Sequence, residues 1–413
     1  MEAFVPILQA HVMKSLKELY RIGKGPSSSH TMGPQKAAQM FVDHHPETRN
    51  FKVTLYGSLA ATGRGHLTDV AVREVLEPRG KVEIDWQPAV YLPFHPNGMC
   101  FHSYDAEGKE TDSWTVYSVG GGALSEGDHQ RWIPNEGEPY TLNTLKEIMQ
   151  WCTSQGRGYW EYVEECEGPG LWNYLREVWQ AMRQAVERGL DHEGALPGPL
   201  HLPRKAITYF VKARGYRQTL QTRGLVFAYA LAVIEENASG GTIVTAPTCG
   251  SCGVLPAVLY HLWKGHDFSE TRILHALATA GLFGNIVKQN ASISGADVGC
   301  QGEVGVACAM AAAAANQLFG GSPSQIEYAA EMGLEHHLGM TCDPVCGLVQ
   351  IPCIERNAFA AARALDANLY ASFSDGTHSV SFDRVVRVMK QTGHDLPSLY
   401  KETSTGGLAT NFD

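Results

Sequence analysis

The hydrophobic pattern of the chain changes character near residue 140. Between residues 23 and about 130, short segments alternate apolar and polar positions and are separated by glycine-rich turns, which is typical of strands. The predicted strands lie in FKVTLYGS, KVEIDWQPAVYL, MCFHSYDA and DSWTVYSVGGGAL. The first strand leads through a glycine-rich turn into the helix of AATGRGHLTDVAVREVLE. This region therefore predicts a small α+β domain with an antiparallel or mixed sheet.

After residue 140 the apolar positions recur almost only at helical spacing. Helices are predicted near residues 142–153, 171–190, 204–213, 217–237, 254–264 and 269–287, and three more follow in the last third of the chain. The expected fold class is therefore α+β, with a small α+β domain over 23–140 and a mostly all-α domain over 141–413. Apolar residues at helical spacing also predict an amphipathic helical extension over residues 1–22.

Composition and charge narrow the class of protein. The 413 residues are 44% hydrophobic and 18% charged, which is enough for sizeable cores in two or three domains. The net charge is -10 and no basic run stands out, so neither nucleic acid nor an anionic membrane surface is expected as a partner. No secretory signal and no transmembrane stretch is evident. We therefore expect a cytoplasmic protein whose ten cysteines are mostly reduced.

Three cysteines lie at the ends of predicted helices. Cys300 precedes an alanine-rich helix, and Cys353 follows a proline at the start of another. Cys342 comes just after a helix that Ser322 caps and that ends at Gly339. Free N–H groups at helix starts stabilise thiolates, and soft sulfur ligands select iron-sulfur clusters or zinc. Three ligands on a four-iron cluster would leave one iron open for a substrate.

The residues alone leave two alternatives open. The three cysteines could be ordinary buried side chains, because cysteine is among the most buried residue types. Cys346 could also be a fourth ligand, which would give a closed cluster or a structural zinc site. The CxxC pair Cys249 and Cys252 is interpreted as loop packing near the site, because no thioredoxin-like strand pattern precedes it.

Two glycine-containing loops in the N-terminal half carry histidines. The loop GKGPSSSHTMGP offers hydroxyl and backbone N–H groups that suit a carboxylate or a phosphate, although Ser27 and Ser28 alone would be interpreted as a helix N-cap. His30 lies in this loop, and a second loop presents Arg64 and His66. An imidazole in such a loop can titrate near neutral pH and act as a base.

Several segments together resemble a known family. They are GPSSSHTMGP, LYGSLAATGRGH, TAPTCGSCGVLPAVL, NASISGADVGCQGEVGVAC, GMTCDPVCGLVQIPCIERN and KETSTGGLA. In this order they resemble the iron-sulfur type of bacterial L-serine dehydratase (L-serine ammonia-lyase), in the form with both regions fused in one chain. The resemblance extends from about residue 16 to about residue 409, which makes it more specific than any single motif.

The resemblance implies a fold, a cofactor and an assembly. The N-terminal domain would be similar to the allosteric substrate-binding domain of some phosphoglycerate dehydrogenases. The all-α domain would hold a [4Fe-4S] cluster on Cys300, Cys342 and Cys353, and pyridoxal phosphate is not expected. A homodimer is the family expectation. Many relatives carry Asn at the position of Cys249 and a small residue at that of Cys346.

The resemblance also implies an activity, the conversion of L-serine to pyruvate and ammonia, and roles for the loop residues. His66 is the first choice for the base that removes the α-proton, and His30 is the second. The predicted substrate-binding residues are Ser27, Ser28, Ser29, Thr31, Lys288 and Asn290. Two rival functions remain: elimination from L-threonine or L-cysteine, since a methyl group is worth only about 1–3 kcal/mol in a pocket, and a non-catalytic iron-sulfur sensor whose cluster Cys346 closes.

Overall fold

The computed structural model describes residues 13–127, 131–133 and 137–410. The first part of the predicted helix over residues 1–22 lies outside the described residues. Its second part was predicted wrongly, because residues 13–22 contain only the 3-10 turn Leu16–Glu18 and the start of a strand. The apolar side chains there are nevertheless buried in the core of the helical region. Tertiary packing and backbone pairing have overridden the helical spacing.

The N-terminal region is built on a five-stranded sheet. Its elements are β1 (Ile22–Lys24), α1 (Gly33–His44), β2 (Asn50–Tyr56), α2 (Gly57–Ala61), α3 (Thr68–Leu76), β3 (Lys81–Gln87), β4 (Gly98–Tyr104), β5 (Glu110–Ser118) and β6 (Leu124–Ser125). The strand order is β3-β2-β4-β5-β6; β2 and β3 are parallel and the other neighbours antiparallel. The prediction of a small α+β region with a mixed sheet is confirmed.

The core of this sheet region lies under α1. Phe41 of α1 stacks on Phe101 of β4 with ring centroids 5.4 Å apart, and both are fully buried. Val53 and Leu55 of β2 are buried on the same core. Burying each of these side chains stabilises the fold by about 1.5–3 kcal/mol, which fixes the sheet against the helix that follows the Ser27–Thr31 loop.

The rest of the chain is helical apart from one short strand. Its elements are α4 (Leu145–Gln155), α5 (Tyr159–Glu167), α6 (Leu171–Asp191), α7 (Ala206–Arg214), α8 (Gln218–Ala238), β7 (Thr242–Val244), α9 (Val254–His266), α10 (Glu270–Asn290), α11 (Gly295–Val298), α12 (Val304–Leu318), α13 (Pro323–Glu335), α14 (Cys353–Ser372) and α15 (Phe382–Asp395). The helices predicted here are confirmed, whereas α5, α11 and α15 were not predicted. Ser322 and Gln325 form the expected capping box of α13.

The alanine-rich helix α12 lies at the centre of the helical region. Its residues 306–315 are buried, and α10, α13 and α14 pack around it. Small side chains let these helices approach closely: a Cβ added at Gly333 of α13 would lie 2.9 Å from the Cα of Ala309. This close packing fixes α12, and with it the 3-10 turn Cys300–Gly302 that precedes it.

The N-terminal segment connects the loop Ser27–Thr31, called the hydroxyl loop below, to the helical region. Strand β1 pairs with β7 in an antiparallel two-stranded sheet, with Gly23 opposite Ile243. Asn237 at the end of α8 donates through Nδ2 to the carbonyl of Pro26 (2.7 Å). The chain is therefore bound to the helical region directly before Ser27–Thr31, and it enters the sheet region after this loop. Within the described residues, no helix is both long and apolar enough to cross a membrane.

Candidate active site

Two buried histidines face each other where the hydroxyl loop meets the loop between α2 and α3. The ring centroids of His30 and His66 are 4.5 Å apart with an interplanar angle of 61°. His30 lies in the π-helical turn Ser28–Met32, whose N-cap Ser27 accepts from the His30 backbone N–H. The hydroxyl of Thr31 donates to the carbonyl of His66 (2.7 Å). These side-chain to backbone bonds hold the two loops in register.

Hydrogen bonds define the tautomer of His30. Its Nε2 lies 3.2 Å from the carbonyl oxygen of Ser58, which can only accept, so Nε2 carries the proton. Its Nδ1 therefore accepts from the hydroxyl of Ser29 at 2.9 Å. Burial lowers the pKa of His30 to about 4, so the imidazole is neutral at pH 7.

His66 differs because neither of its ring nitrogens has a hydrogen-bond partner among the described residues, although the side chain is 1% exposed. Burial, followed by the neighbouring His30, lowers the pKa of His66 well below its ordinary value. An unpartnered buried polar group is costly, and its presence indicates a position kept for a ligand or a proton. His66 is therefore a neutral imidazole whose lone pair has no partner among the described residues.

The structure brings the three predicted ligand cysteines close to one another. Cys300 starts the 3-10 turn before α12, Cys353 starts α14, and Cys342 forms an isolated bridge with Lys401. Their exposed fractions are 1%, 7% and 4%, respectively. A hydrogen bond with Cys300, followed by burial, raises the pKa of Cys342, and burial followed by the charge of Cys300 raises that of Cys353. Each thiol therefore lies within electrostatic reach of another.

A carboxyl group and a guanidinium that the sequence reasoning missed complete this cysteine centre. Thiol and carboxyl atoms of Cys300, Cys342 and Glu303 all lie within 4.8 Å of one another. Glu303 accepts from the hydroxyl of Thr248 (2.7 Å), and burial raises its pKa. Burial alone would lower the pKa of Arg356, and the charges of Cys300 and Cys353 raise it instead, so this side chain remains a cation beside the thiols.

The space at the cysteines suits a cluster. A Cβ added at Gly295 would lie 2.8 Å from Glu303 Oε2 and 3.1 Å from the Sγ of Cys342, so only glycine leaves this corner free. Three convergent thiols are soft ligands that select iron-sulfur clusters or zinc. Metal binding would release the thiol protons and reverse the raised pKa values of Cys342 and Cys353. The donor set fits a three-cysteine cluster with a neighbouring carboxyl group.

Glu402 connects the cysteines to the histidines and was also missed from the sequence. Its backbone N–H donates to the carbonyl of Cys342 (2.8 Å), and its own carbonyl accepts from the Ser58 hydroxyl (3.0 Å). Its carboxyl Oε1 lies 3.6 Å from His30 Nδ1. Its φ of 58° lies in the left-handed region, a strained conformation that the tertiary contacts maintain. The segment KETSTGGLA contains this residue, but no pattern in that segment marked its role.

The predicted substrate-binding residues fall into two groups. Ser27, Ser28, Ser29 and Thr31 are buried in the turn that carries His30. Lys288 and Asn290 lie elsewhere: Lys288 Nζ donates to the carbonyl of Glu18 (2.9 Å), and the Asn290 amide donates to the carbonyl of Asn143 (2.7 Å). Neither of these contacts involves the histidines or the three cysteines.

The remaining cysteines differ in exposure. Cys346 has a left-handed backbone (φ 55°) and is exposed, whereas the three predicted ligands are buried. Cys249 and Cys252 are fully buried, and burial raises the pKa of both thiols. Cys249 packs against the sulfur of Met32 (3.5 Å), as the loop-packing interpretation of this CxxC pair requires.

The chain is similar to known proteins over almost its whole length. The model of the serine dehydratase alpha chain matches residues 141–409, and that of the beta chain matches residues 15–87 and 73–129. The L-serine dehydratase of Streptomyces coelicolor is 42% identical over an alignment that covers 96% of this chain and 99% of the relative. L-serine dehydratase 1 of Escherichia coli is 39% identical with the same coverage, and the L-serine dehydratase of Helicobacter pylori is 36% identical over 96% of this chain and 98% of the relative. The chain therefore belongs to the serine dehydratase family, with the alpha and beta regions joined in a single chain.

Proposed function

We propose that this protein converts L-serine to pyruvate and ammonia, with a [4Fe-4S] cluster bound by Cys300, Cys342 and Cys353. One observation carries the proposal: His66 is a buried, neutral imidazole without a hydrogen-bond partner in the described structure, and Glu402 links this histidine pair to three buried cysteines. The relatives named L-serine dehydratase identify the substrate class.

Dehydration of serine needs a base at the α-carbon and an acid at the hydroxyl oxygen, because the α-proton is weakly acidic and hydroxide is a poor leaving group. When bound, a cluster with one open iron supplies a Lewis acid for that oxygen. His66 accepts the α-proton at an unpartnered ring nitrogen. Its lowered pKa keeps it unprotonated at neutral pH, so it is ready to act.

His30 and the hydroxyl loop orient the reactants. The His30 ring is held between the carbonyl of Ser58 and the hydroxyl of Ser29, so its edge-to-face contact fixes the orientation of His66. The hydroxyl group of Ser28 lies in the same buried turn and can donate to the substrate carboxylate, whereas the proton of the Ser29 hydroxyl is already donated to His30. Loss of water gives aminoacrylate, which tautomerises to an imine and hydrolyses to pyruvate and ammonia.

The exposure of Cys346 supports an open rather than a closed cluster. A fourth ligand would have to share the buried position of the other three, whereas Cys346 is exposed and has a left-handed backbone. A three-cysteine site leaves an iron for substrate, which suits an enzyme better than a sensor.

The test is anaerobic purification with iron and sulfide analysis, followed by a pyruvate assay on L-serine, L-threonine and L-cysteine. We expect about four irons per chain, as a [4Fe-4S] cluster requires, and turnover of L-serine. Replacing Cys300, Cys342 or Cys353 by serine should remove iron and activity, whereas the matched variant Cys346→Ser should keep both. Iron loss in Cys346→Ser, or zinc in the purified protein, would contradict the proposed ligand set.

The resemblance supports three further proposals about the whole protein. The sheet region would be similar to the substrate-binding domain of phosphoglycerate dehydrogenases, the assembly would be a homodimer, and the location would be cytoplasmic. Light scattering coupled to size exclusion measures the second of these directly. The domain limits 23–140 and 141–413 likewise remain a proposal, testable by limited proteolysis near residue 140.

A further inference from the structure

The buried centre needs a passage to solvent, because the histidines and the three cysteines are almost fully buried. A cavity of about 320 Å³ lies where the two halves of the site meet. Its lining includes Gly65 and Leu67, the two neighbours of His66, and Pro26, the neighbour of Ser27. Cys346 and Gln350, between the ligands Cys342 and Cys353, line its other wall. This volume lies at the lower end of the range of about 300–1,000 Å³ that is usual for small-ligand pockets.

We infer that this cavity is the passage by which a small zwitterionic amino acid reaches His66, and that Gln350 and Arg64 bind the ammonium and the carboxylate of that amino acid there. The inference rests on the proposed function, which it deepens by assigning substrate-recognition residues.

Gln350 provides an acceptor whose position is fixed. Its side chain is 2% exposed, and its Nε2 donates to the carbonyl of Pro197 (2.7 Å). Since that carbonyl can only accept, the amide orientation is determined and Oε1 is the free end. Oε1 is buried and has no hydrogen-bond partner among the described residues. A buried acceptor without a partner, in the wall of a cavity, suits an N–H donor such as an ammonium group.

Arg64 provides a cation on the same cavity. It is exposed, and its guanidinium stacks on the ring of Trp86 at 4.8 Å. Within the described residues no carboxylate forms a salt bridge with it. Stacking orients the planar group while leaving its N–H donors available, and a guanidinium binds a carboxylate through two parallel hydrogen bonds.

The loops of the two walls touch, so the passage has a defined shape. A Cβ added at Gly65 would lie 2.6 Å from the carbonyl oxygen of Gly347, which leaves no room for a side chain there. The rest of the lining is largely apolar, with Leu348, Val349 and Pro199 among its members. Because the other side chains of the lining are largely apolar, they do not compete with Gln350 and Arg64 for the charged groups of a ligand.

A larger cavity of about 650 Å³ borders neither the loops of the two histidines nor the loop between Cys342 and Cys353. It is lined by Lys36, His95, Lys288 and Asp297, and none of its lining residues belongs to the loops 26–31, 64–67 or 346–353. The smaller cavity is the one that borders both the histidine loop and the cysteine loop.

Alkylation of Cys346 can report binding of an amino acid in this cavity without turnover, because Cys346 is exposed and lines the cavity wall. The holoenzyme is treated anaerobically with iodoacetamide, and alkylation of Cys346 is followed by peptide mass spectrometry. L-Alanine, which keeps the ammonium and carboxylate but has no hydroxyl to eliminate, should slow the alkylation several-fold at saturation, and L-serine should do the same. If L-alanine competitively inhibits pyruvate formation but leaves the alkylation rate unchanged, the passage lies elsewhere.

Variants separate the roles of the two side chains. Arg64→Gln and Gln350→Leu should each raise the KM for L-serine and the L-alanine concentration for half-protection about tenfold, which is the effect of losing about 1.4 kcal/mol of binding, with kcat within about twofold. Arg64→Lys should retain most of the protection. The matched control is Arg79→Gln, an exposed arginine outside the cavity lining.

Equal shifts in Arg64→Gln and Arg79→Gln would overturn the role of Arg64, and unchanged protection in Gln350→Leu would overturn that of Gln350. Iron content reports whether each variant folds. Protection of Cys346 in a holoenzyme that makes no pyruvate from L-serine would support the passage while contradicting the proposed function, so the two can fail separately.

Discussion

The imidazoles of His30 and His66 meet edge to face, and only one of them is left without hydrogen bonds. His30 uses Nδ1 with the Ser29 hydroxyl and Nε2 with the Ser58 carbonyl, whereas both nitrogens of His66 lack a partner in the described structure. Each ring is neutral because it is buried. The pair therefore divides into a ring that is held and a ring that can take a proton.

Replacing His66 should remove the proposed base and leave the proposed cluster in place. We expect His66→Asn to lower kcat by about 10²–10⁴, the usual contribution of general base catalysis, while the iron content and visible absorption stay those of the parent. The measurement is a steady-state pyruvate assay paired with an anaerobic absorption spectrum. The control is His201→Asn, which changes an exposed histidine. A kcat close to that of the parent would remove His66 from this role.

The depressed histidine pKa values predict acid sensitivity of the fold. An unfolded histidine titrates near 6.5, whereas His30 in the folded protein titrates near 4. Between these values the unfolded state binds a proton that the folded state does not, so stability falls as the pH drops from about 6.5 to 4. The loss from His30 is on the order of 3 kcal/mol, and the lowered pKa of His66 acts in the same direction.

Urea unfolding at pH 7.5 and pH 4.5 tests this sensitivity. His30→Gln cannot take up the proton, so its free energy of unfolding should fall less over this range than that of the parent protein. The exposed variant His201→Gln is the matched control and should follow the parent. An identical pH slope in His30→Gln and the parent would show that His30 is not the source.

The corner at Gly295 should tolerate no side chain. Gly295→Ala would place a methyl group 2.8 Å from Glu303 and 3.1 Å from Cys342, which must displace one of them. We expect reduced iron content and a loss of activity in proportion to it. Gly265→Ala is the matched control, because a Cβ there meets nothing within 4 Å and alanine favours the helix Val254–His266. Full iron occupancy in Gly295→Ala would show that this corner does not border the cluster.

Glu402 should act through His30 and the Cys342 loop. Glu402→Gln keeps the backbone contacts with Cys342 and Ser58 and changes only the carboxyl group near His30. Residues that orient an active group typically contribute about 10–100-fold to activity, so we expect a fall in kcat of that size with KM almost unchanged and a shifted pH profile. Glu107→Gln, on an exposed turn, is the control. An unaltered pH profile would mean that the Glu402 carboxyl has a structural role only.

Local chemistry alone predicted much of this protein. Period-two alternation marked β2, and helical spacing marked α6 within a few residues, because each of these two elements buries mainly one face. Turn and cap residues placed Cys300 and Cys353 at helix starts, where the structure has them. The family segments carried the three candidate ligand cysteines and both histidines, and the known relatives confirm that family.

Only the tertiary structure decided how residues 13–22 fold and which distant residues meet at the cysteines. Residues 13–22 have helical spacing, yet β1 pairs with β7 and their apolar side chains enter the helical core, because backbone pairing and burial outweigh a marginal local helix. Glu303 and Glu402 reach the cysteines from segments 99 residues apart, and their importance comes from that convergence and from burial, neither of which a single sequence encodes as a spacing. Lys288 and Asn290 lie close in sequence to Cys300, but helix α10 directs their contacts to other segments. The ring nitrogens of His66 lack a partner in the described structure because the folded chain buries the ring without placing a polar group beside it.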